Sequence, residues 1–250
     1  MNSQQHHQCH YVGIQKSFEK ACVSYDNEAV VQFQTGALLI NYLTVCKSYH
    51  QKVLDLGCGT GLTTLHLCKR LFISSLHIND FSPLLLKKTR DHLRLIQAKP
   101  LLFNFDHSWD CNDSYDLIFS NMAFQWSFAI EELLKNCFNH LNQNGILAFS
   151  LPLKGSFVEF SPHQCITFHD FDYLCEILDK IGFSIIKADL FLRRQTFNTH
   201  LQALKSIKKC GANYTPHPRS YKLIDRSKLT LPSTLTYKIG IFIARKTSAS

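Results

Sequence analysis

Three glycines alternate with other residues in the segment VLDLGCGTG, which covers residues 53–61. Gly57, Gly59 and Gly61 give the spacing GxGxG, whereas a turn that binds a dinucleotide pyrophosphate usually has GxGxxG. Asp55 precedes the first glycine, and a carboxylate at this point repels a pyrophosphate but attracts a cationic amino-acid group. The spacing and the acid therefore favour S-adenosylmethionine, whose ammonium and sulfonium groups are positive, over a nicotinamide dinucleotide.

Asp80 is a second acid in this pattern, and it ends the apolar run LHIND about twenty-five residues after Asp55. A carboxylate in this place can accept hydrogen bonds from both hydroxyls of a ribose. Both cofactor classes use such a carboxylate, so Asp80 does not discriminate between them. The same side chain can also cap the helix that Ser82 and Pro83 are expected to open, and the two roles are compatible.

A third acid follows the third apolar run, in the segment NFDHSWD. We expect Asp106 to accept a hydrogen bond from the adenine amino group and Phe105 to form an apolar wall for the adenine ring. The alternative is that Asp106 is an ordinary turn residue. The predicted cofactor-binding residues are Asp55, Gly57, Cys58, Gly59, Gly61, Asp80, Phe81, Phe105, Asp106 and Asn121.

The segment YDLIFSNMAFQW, residues 115–126, is the second informative stretch. A strand that ends at Ser120 and Asn121 places a polar pair, followed by the Phe124 and Trp126 rings, at one edge of the predicted sheet. Aromatic faces stabilise a nearby cation by about 0.5 to 2 kcal/mol, although Phe124 can equally be a core residue. No catalytic triad, metal-ligand set or general base accompanies this loop. A carboxylate acceptor needs none, because it is already ionised at neutral pH and positioning with desolvation can supply the acceleration.

Apolar strands and amphipathic helices alternate along most of the chain. Strands are predicted at 53–56, 76–79, 100–105, 115–121, 146–151, 183–190 and 234–246, and helices at 62–71, from 83, at 131–141, 170–181 and 198–208. This succession predicts an α/β fold with a largely parallel sheet covered by helices on both faces. We expect the last strand to close an edge of the sheet, and a helical lead-in at 17–43 to break near residues 24–27.

The overall composition is that of an ordinary globular protein, with 250 residues and 45% apolar residues. We expect one domain with additions and no membrane contact, because no apolar run approaches the roughly 18 to 20 residues that span a bilayer. The first twenty residues lack a secretion or organelle signal, so a cytoplasmic location is expected. Ten cysteines are scattered without a CxxC pair, and His6, His7, Cys9 and His10 lack a second ligand group, so we predict reduced thiols and no metal.

The net charge of +8 favours an anionic partner. The excess lies late in the chain, where residues 187–246 contain thirteen Lys or Arg against two Asp and no Glu. One interpretation is a docking surface for an acidic macromolecule, and the other is a solvated basic face. We expect no nucleic-acid partner, because the basic residues form no arm and no RNA-binding motif.

The glycine turn, Asp55, Asp80 and the order of strands together resemble the class I S-adenosylmethionine-dependent methyltransferases over about residues 45–155 and again at the last strand. That resemblance implies a Rossmann-like, seven-stranded α/β sheet whose last strand is antiparallel. It also implies a helical N-terminal lead-in and an inserted cap before the last strand. The implied domains are an N-terminal tail and helical lid at 1–45 and a methyltransferase domain at 46–250, with the substrate cap at about 192–233.

A narrower resemblance covers nearly the whole chain after Ser17. The segments SFEKACVSYDNEAVVQ, NDFSP, SNMAFQW, GILAFSLPLKGSFVEF, LQALKSIKKCGAN and LTYKIGIFIARK occur here in the order seen in malonyl-acyl-carrier-protein O-methyltransferases, the BioC enzymes of biotin synthesis. This implies methylation of the free carboxylate of a malonyl thioester carried on acyl carrier protein, or on coenzyme A. The methyl ester would start pimeloyl synthesis for biotin.

The same resemblance assigns roles to particular residues. It places Tyr25 at the cofactor and active-site lid and the loop from Asn121 through Gln125 to Trp126 in the acceptor pocket, so these four are the predicted catalytic residues. Acyl carrier protein is acidic, and a group of late basic residues is expected to steer it. That group comprises Arg193, Arg194, Lys205, Lys208 and Lys209.

Three other functions are compatible with parts of the sequence. The first is methylation of another small carboxylic acid or a quinone precursor through the same cofactor site. The second is a methyltransferase-like assembly factor, although the complete set of glycines and acids argues against a degenerate pocket. The third is nucleic-acid methylation, against which SNMAFQW lacks the Asn/Asp-Pro-Pro-aromatic loop typical of base amino-group methylation.

Overall fold

The computed structural model describes residues 3–107, 109, 113–160, 166–214 and 229–247. These residues fall into two compact units. The first comprises the described residues within 1–30, 152–169 and 191–239, and the second comprises those within 31–151, 170–190 and 240–250. No helix in the described ranges is long and apolar enough to cross a membrane.

Eight helices and seven strands are assigned within the described residues. The helices are α1 (Ser3–Ala21), α2 (Tyr25–Glu28), α3 (Val30–Cys46), α4 (Leu62–Arg70), α5 (Pro83–His92), α6 (Ile130–Asn139), α7 (Phe171–Ile181) and α8 (His200–Lys209). The strands are β1 (Tyr49–Leu56), β2 (Phe72–Asp80), β3 (Ala98–Leu102), β4 (Tyr115–Asn121), β5 (Leu141–Pro152), β6 (Phe183–Phe197) and β7 (Ser233–Lys246). A short 3-10 turn covers Phe124–Trp126.

The strands form one sheet in the order β3-β2-β1-β4-β5-β7-β6. Neighbouring strands from β3 to β5 pair in parallel, and the last strand is antiparallel, so the predicted fold class is confirmed. Parallel strands end at the same edge of a sheet, which brings the residues after β1, β2 and β4 together. This is the edge at which open α/β sheets bind their ligands.

The position of β7 corrects one prediction. We expected this strand to close an edge of the sheet, but it lies between β5 and β6. The side chains of Ile239, Ile241, Phe242, Ile243 and Ala244 are fully buried, which requires cover on both faces and a neighbour on each side. The edge position belongs to β6, most of whose residues are exposed or half-buried.

Local signals in the sequence explain the helix boundaries around the site. The Ser82 side chain accepts a hydrogen bond from the Leu85 amide at the start of α5, and Pro83 occupies the first helical turn. Gly182 ends α7 in a left-handed conformation. The third strand ends at Leu102, whereas the sequence predicted that it runs to Phe105.

The first unit contains α1, α2 and α8. The lead-in breaks between Ala21 and Tyr25 and again at Ala29. The interruption predicted near 24–27 therefore overlaps the short helix α2, which lies between the two breaks. The predicted division into a lid and a methyltransferase domain stays a prediction. Residues 215–228 of the predicted cap, which include Pro216 and Pro218, lie outside the described residues.

Candidate functional site

Asp55 is a buried acid at the end of β1, with 2% of its surface exposed. Its carboxylate accepts a hydrogen bond of 2.6 Å from the Thr64 hydroxyl on the first turn of α4. Burial raises the pKa of the Asp55 carboxyl to about 7, and the nearby Asp80 adds to this rise, while the bond from Thr64 opposes it. A cation bound beside Asp55 would favour its ionised form.

The glycine turn is fixed by the backbone of the neighbouring strand. The amides of Gly57 and Cys58 both donate to the Asn79 carbonyl, at 3.0 and 2.8 Å. A Cβ atom at Gly57 would lie 2.6 Å from the Ala123 Cβ and 3.7 Å from the Phe105 ring. The structure therefore brings the turn, the predicted adenine wall and the loop after β4 into contact.

Asp80 joins the turn to the start of α5. One carboxylate oxygen accepts from the Gly59 amide at 3.0 Å, and the other accepts from the Ser82 amide at 2.9 Å. The contacts fix the orientation of the carboxylate, as the predicted ribose role requires.

Cys58 and Phe81 occupy the two turns beside these acids. The Cys58 thiol lies 3.5 Å from the Thr89 hydroxyl of α5. Burial raises the pKa of this thiol well above its usual range, and the carboxylates of Asp80 and Asp55 add to the rise, so Cys58 is an uncharged packing group. Phe81 is half-buried immediately after Asp80.

The loop after β3 places Asp106 against the start of α6. The Asp106 carboxylate accepts hydrogen bonds from the Ser127 hydroxyl at 2.5 Å and from the Phe128 amide at 2.7 Å. The preceding Phe105 is buried and contacts the Phe124 ring at 6.0 Å between centroids. Asp106 thus links two loops, and its predicted contact with adenine stays a prediction.

Asn121 ends β4 and links three elements of the second unit. Its side-chain nitrogen donates to the Gln32 backbone carbonyl of α3 at 3.0 Å and lies 3.4 Å from the Thr63 hydroxyl of α4. Its side-chain oxygen accepts from the Ser150 hydroxyl of β5 at 2.8 Å. These bonds give Asn121 a fixed orientation at the sheet edge.

The loop that follows has a constrained backbone. Met122 adopts a positive φ of 54°, which is uncommon for a residue other than glycine. The side-chain amide nitrogen of Gln125 donates to the Met122 backbone carbonyl at 2.7 Å. The buried side-chain oxygen of Gln125 has no hydrogen-bond partner among the described residues. Trp126 is half-buried, and its backbone amide closes the turn onto the Ala123 carbonyl.

Tyr25, the remaining predicted catalytic residue, belongs to the first unit. It begins α2 and is half-buried, and its ring contacts Phe18 of α1 at 6.4 Å between centroids. The catalytic and binding roles given to all of these residues stay predictions.

The residues of the second unit fit S-adenosylmethionine on three observations. Asp55 and Asp80 are buried carboxylates whose charges repel each other, so a cationic ligand is favourable there. A Cβ at Gly59 would meet nothing within 4 Å, which leaves the backbone of the turn open. Phe105 supplies an apolar ring beside the same turn. Asp55 would hold the ammonium group and Asp80 the ribose hydroxyls.

Several residues that support this site were not singled out from the sequence. Thr64 binds Asp55, Ser150 binds Asn121, Ser127 binds Asp106, and the Asn79 side chain donates to the Leu101 and Phe103 carbonyls. All are polar residues within or beside apolar segments. Their position at the ends of strands or starts of helices was a usable signal, but apart from Thr64, which lies nine residues from Asp55, their partners are more than twenty residues away in the sequence.

Comparison with known proteins shows that this chain is similar to methyltransferases. A family model described as a methyltransferase domain matches residues 54–147. Malonyl-[acyl-carrier protein] O-methyltransferase 2 of Coxiella burnetii is 32% identical over 236 residues, which covers 93% of this chain and 95% of that protein.

Two solved structures share the fold at low sequence identity. The YcgJ protein of Bacillus subtilis has a TM-score of 0.62 and 11% identity, covering 84% of this chain and 99% of that one. The N-methyltransferase NodS of Bradyrhizobium japonicum, solved with S-adenosyl-L-homocysteine, has a TM-score of 0.57 and 10% identity, covering 84% and 85%.

Proposed function

Because the chain belongs to the malonyl-[acyl-carrier protein] O-methyltransferase family, we propose that it methylates the free carboxylate of a malonyl thioester carried on acyl carrier protein. The chain is an S-adenosylmethionine-dependent methyltransferase. The observation that carries the choice of acceptor is the similarity to the Coxiella burnetii protein over 93% of this chain. The malonyl methyl ester would start pimeloyl synthesis for biotin, in the cytoplasm.

The proposed reaction requires little acid-base chemistry from the protein. When bound, the cofactor supplies a methyl group on a positively charged sulfur. A malonyl carboxylate is already ionised at neutral pH, so no residue has to remove a proton from it. The chain has to hold the two reactants in line and exclude water.

The second unit supplies groups for each of these tasks. Asp55 and Asp80 would bind the charged and hydroxyl groups of the cofactor. Asn121 is held by bonds to α3 and β5, so it would keep the loop through Gln125 and Trp126 in place beside the acceptor. Burial of Phe105 and Phe124 beside the turn supports a site from which water is excluded.

The carrier protein would dock through the basic residues predicted from the sequence. Lys205 and Lys208 of α8 are exposed, as are Arg193 and Arg194 of β6. The helix α8 contains no acidic residue, so its surface complements an acidic partner. An acidic carrier would approach this surface faster at low ionic strength.

A transfer assay with a labelled methyl group tests the proposal. Labelled S-adenosylmethionine is incubated with malonyl-acyl carrier protein, malonyl-coenzyme A, free malonate or acetyl-acyl carrier protein as acceptor. We expect label in a base-labile ester on the malonyl-carrier product and none on the acetyl carrier. If folded, cofactor-binding enzyme labels no malonyl thioester, the acceptor assignment is wrong, and another small carboxylic acid or a quinone precursor takes its place.

A further inference from the structure

The helix α2, which begins at Tyr25, is too short to be stable by itself. It has four residues, whereas isolated helices of fewer than about 12 to 15 residues are marginal in water. Its N-cap residue Ser24 makes no side-chain capping bond. Contacts from elsewhere in the chain must therefore hold α2 and its tyrosine in place.

The last residue of α8 supplies such contacts at both ends of α2. The Ser24 hydroxyl donates to the Lys209 carbonyl at 3.0 Å. The Lys209 ammonium group donates to the Glu28 carboxylate at 2.7 Å. One residue thus binds the position before α2 and the final position of α2, although it lies 185 and 181 residues away along the chain.

The turn after α8 also supports α2, through packing against α1. A Cβ at Gly211 would lie 2.7 Å from the Phe18 ring and 2.9 Å from the Phe18 Cα, so this turn lies directly on α1. The Phe18 ring contacts the Tyr25 ring. Movement of the end of α8 would therefore reach Tyr25 through packing as well as through the ion pair.

We propose that Lys209 is a positioning residue that holds α2, and through it Tyr25, rather than one of the residues that dock the carrier protein. Both lysines are exposed, but the ammonium group of Lys209 is bound to Glu28, whereas Lys208 forms no ion pair among the described residues. The sequence placed both lysines in one docking group. All three lysines of α8 are exposed, and what separates Lys209 from Lys205 and Lys208 is its set of contacts with Ser24 and Glu28, which we call the clasp. The catalytic part of this inference rests on the proposed function.

Neutral variants of the two neighbouring lysines test the distinction. Lys209→Gln removes the ion pair, Lys208→Gln is the matched control with the same change of charge, and Lys209→Arg keeps a cation. An exposed pair of this kind changes a local equilibrium by about 1.4- to 5-fold. We expect amide hydrogen exchange in residues 25–28 to be faster by that factor in Lys209→Gln, and unchanged in Lys208→Gln and Lys209→Arg.

Kinetics with two acceptors separate positioning from docking. Lys209→Gln should lower kcat by a similar factor with malonyl-acyl carrier protein and malonyl-coenzyme A, and leave KM for the carrier nearly unchanged. Lys208→Gln should raise KM for the carrier only. The charge-exchanged double variant, Glu28→Lys with Lys209→Glu, should restore both kcat and the slow exchange of α2.

Two results would overturn the proposal. In the first, Lys209→Gln behaves as Lys208→Gln does, with a raised KM for the carrier and normal exchange in α2. In the second, exchange in α2 rises but kcat is unchanged, which removes the link to Tyr25. If wild-type enzyme methylates neither thioester, the proposed function is wrong, whatever the role of Lys209. In that case unchanged amide hydrogen exchange of α2 in Lys209→Gln is the result that would show that Lys209 does not hold α2.

Discussion

The glycine turn and the clasp on α2 are built from opposite kinds of contact. In the turn, Asp80 lies 21 residues from Gly59, and Asp55 lies 9 residues from Thr64. In the clasp, Glu28 binds a residue 181 positions away. The contacts of the turn follow from a strand-turn-helix succession that is visible in the sequence, whereas those of the clasp need the complete fold.

The two regions also differ in burial, which sets how much each contact is worth. Asp55 and Asp80 have 2% and 5% of their surfaces exposed. The side chains of Lys209 and Glu28 have 52% and 27% exposed. Hydrogen bonds to charged groups contribute about 1.5–3 kcal/mol each, and exposed ion pairs about 0.2–1 kcal/mol. Substitutions in the turn should therefore have the largest effects, and substitutions on α8 the smallest.

Asp80→Ala is the change with the largest expected effect. It removes both predicted bonds to the ribose and releases the Gly59 and Ser82 amides, so cofactor affinity should fall by at least about 100-fold. Isothermal titration calorimetry with S-adenosylmethionine measures this. The control is Asp91→Ala, an equal change of charge at an exposed position of α5. Unchanged affinity in folded Asp80→Ala would show that the ribose is bound elsewhere.

Asp55 should make the stability of the ligand-free protein depend on pH. Its folded pKa of about 7 lies above its ordinary value of 3.8, so the folded state binds the proton more tightly than the unfolded state. The stabilisation by this proton is full below about pH 4 and is lost as the pH rises to about 7, a change of at most about 4 kcal/mol. Urea unfolding at pH values from 4 to 8 measures it.

Asp55→Asn provides the comparison for that profile. The variant should lack this decline and be more stable than wild type at pH 8, yet bind S-adenosylmethionine more weakly. In wild type, cofactor affinity should increase as the pH rises to about 7, because the ionised carboxylate is the form that holds an ammonium group. An identical pH profile for the two proteins would place the proton on another group.

Alanine at two glycines should separate folding from binding within the turn. Both Gly59 and Gly61 have positive φ, so alanine adds about 1–3 kcal/mol of strain at each. A Cβ at Gly61 would also lie 2.9 Å from the Thr89 Cα, whereas one at Gly59 meets nothing within 4 Å. Gly61→Ala should have the lower melting temperature, and Gly59→Ala the greater loss of cofactor affinity. The reverse order would mean that the cofactor does not occupy the space over Gly59.

The sequence was sufficient for most of the fold because the strands and helices around the turn carry strong local signals. Ser82 and Pro83 marked the start of a helix that the structure confirms, and the helix predicted at 170–181 is observed at Phe171–Ile181. The predicted position of β7 was wrong. A strand whose apolar and polar residues alternate at its start, and whose end is continuously apolar, resembles an edge strand until its neighbours are known. The sequence could not resolve Lys208 from Lys209, since adjacent lysines look alike until one of them has a distant partner.

Charge reversal at two exposed lysines of α8 that lie outside the clasp tests whether docking of the carrier protein is separate from both regions. Lys205→Glu combined with Lys208→Glu should lower kcat/KM for malonyl-acyl carrier protein by about tenfold at low salt, through slower association and weaker docking. The change for malonyl-coenzyme A should be much smaller. Because screening weakens exposed charges, the loss should shrink as the ionic strength rises.

Reversing two charges also changes the net charge of the whole chain, so the control must do the same at another place. Lys87→Glu with Arg90→Glu has the same spacing on an exposed face of α5, in the second unit. If docking is local to α8, this control should leave kcat/KM for the carrier nearly unchanged. Equal losses in both double variants would mean that the carrier responds to the overall field of the protein, and α8 would then be only a solvated basic face.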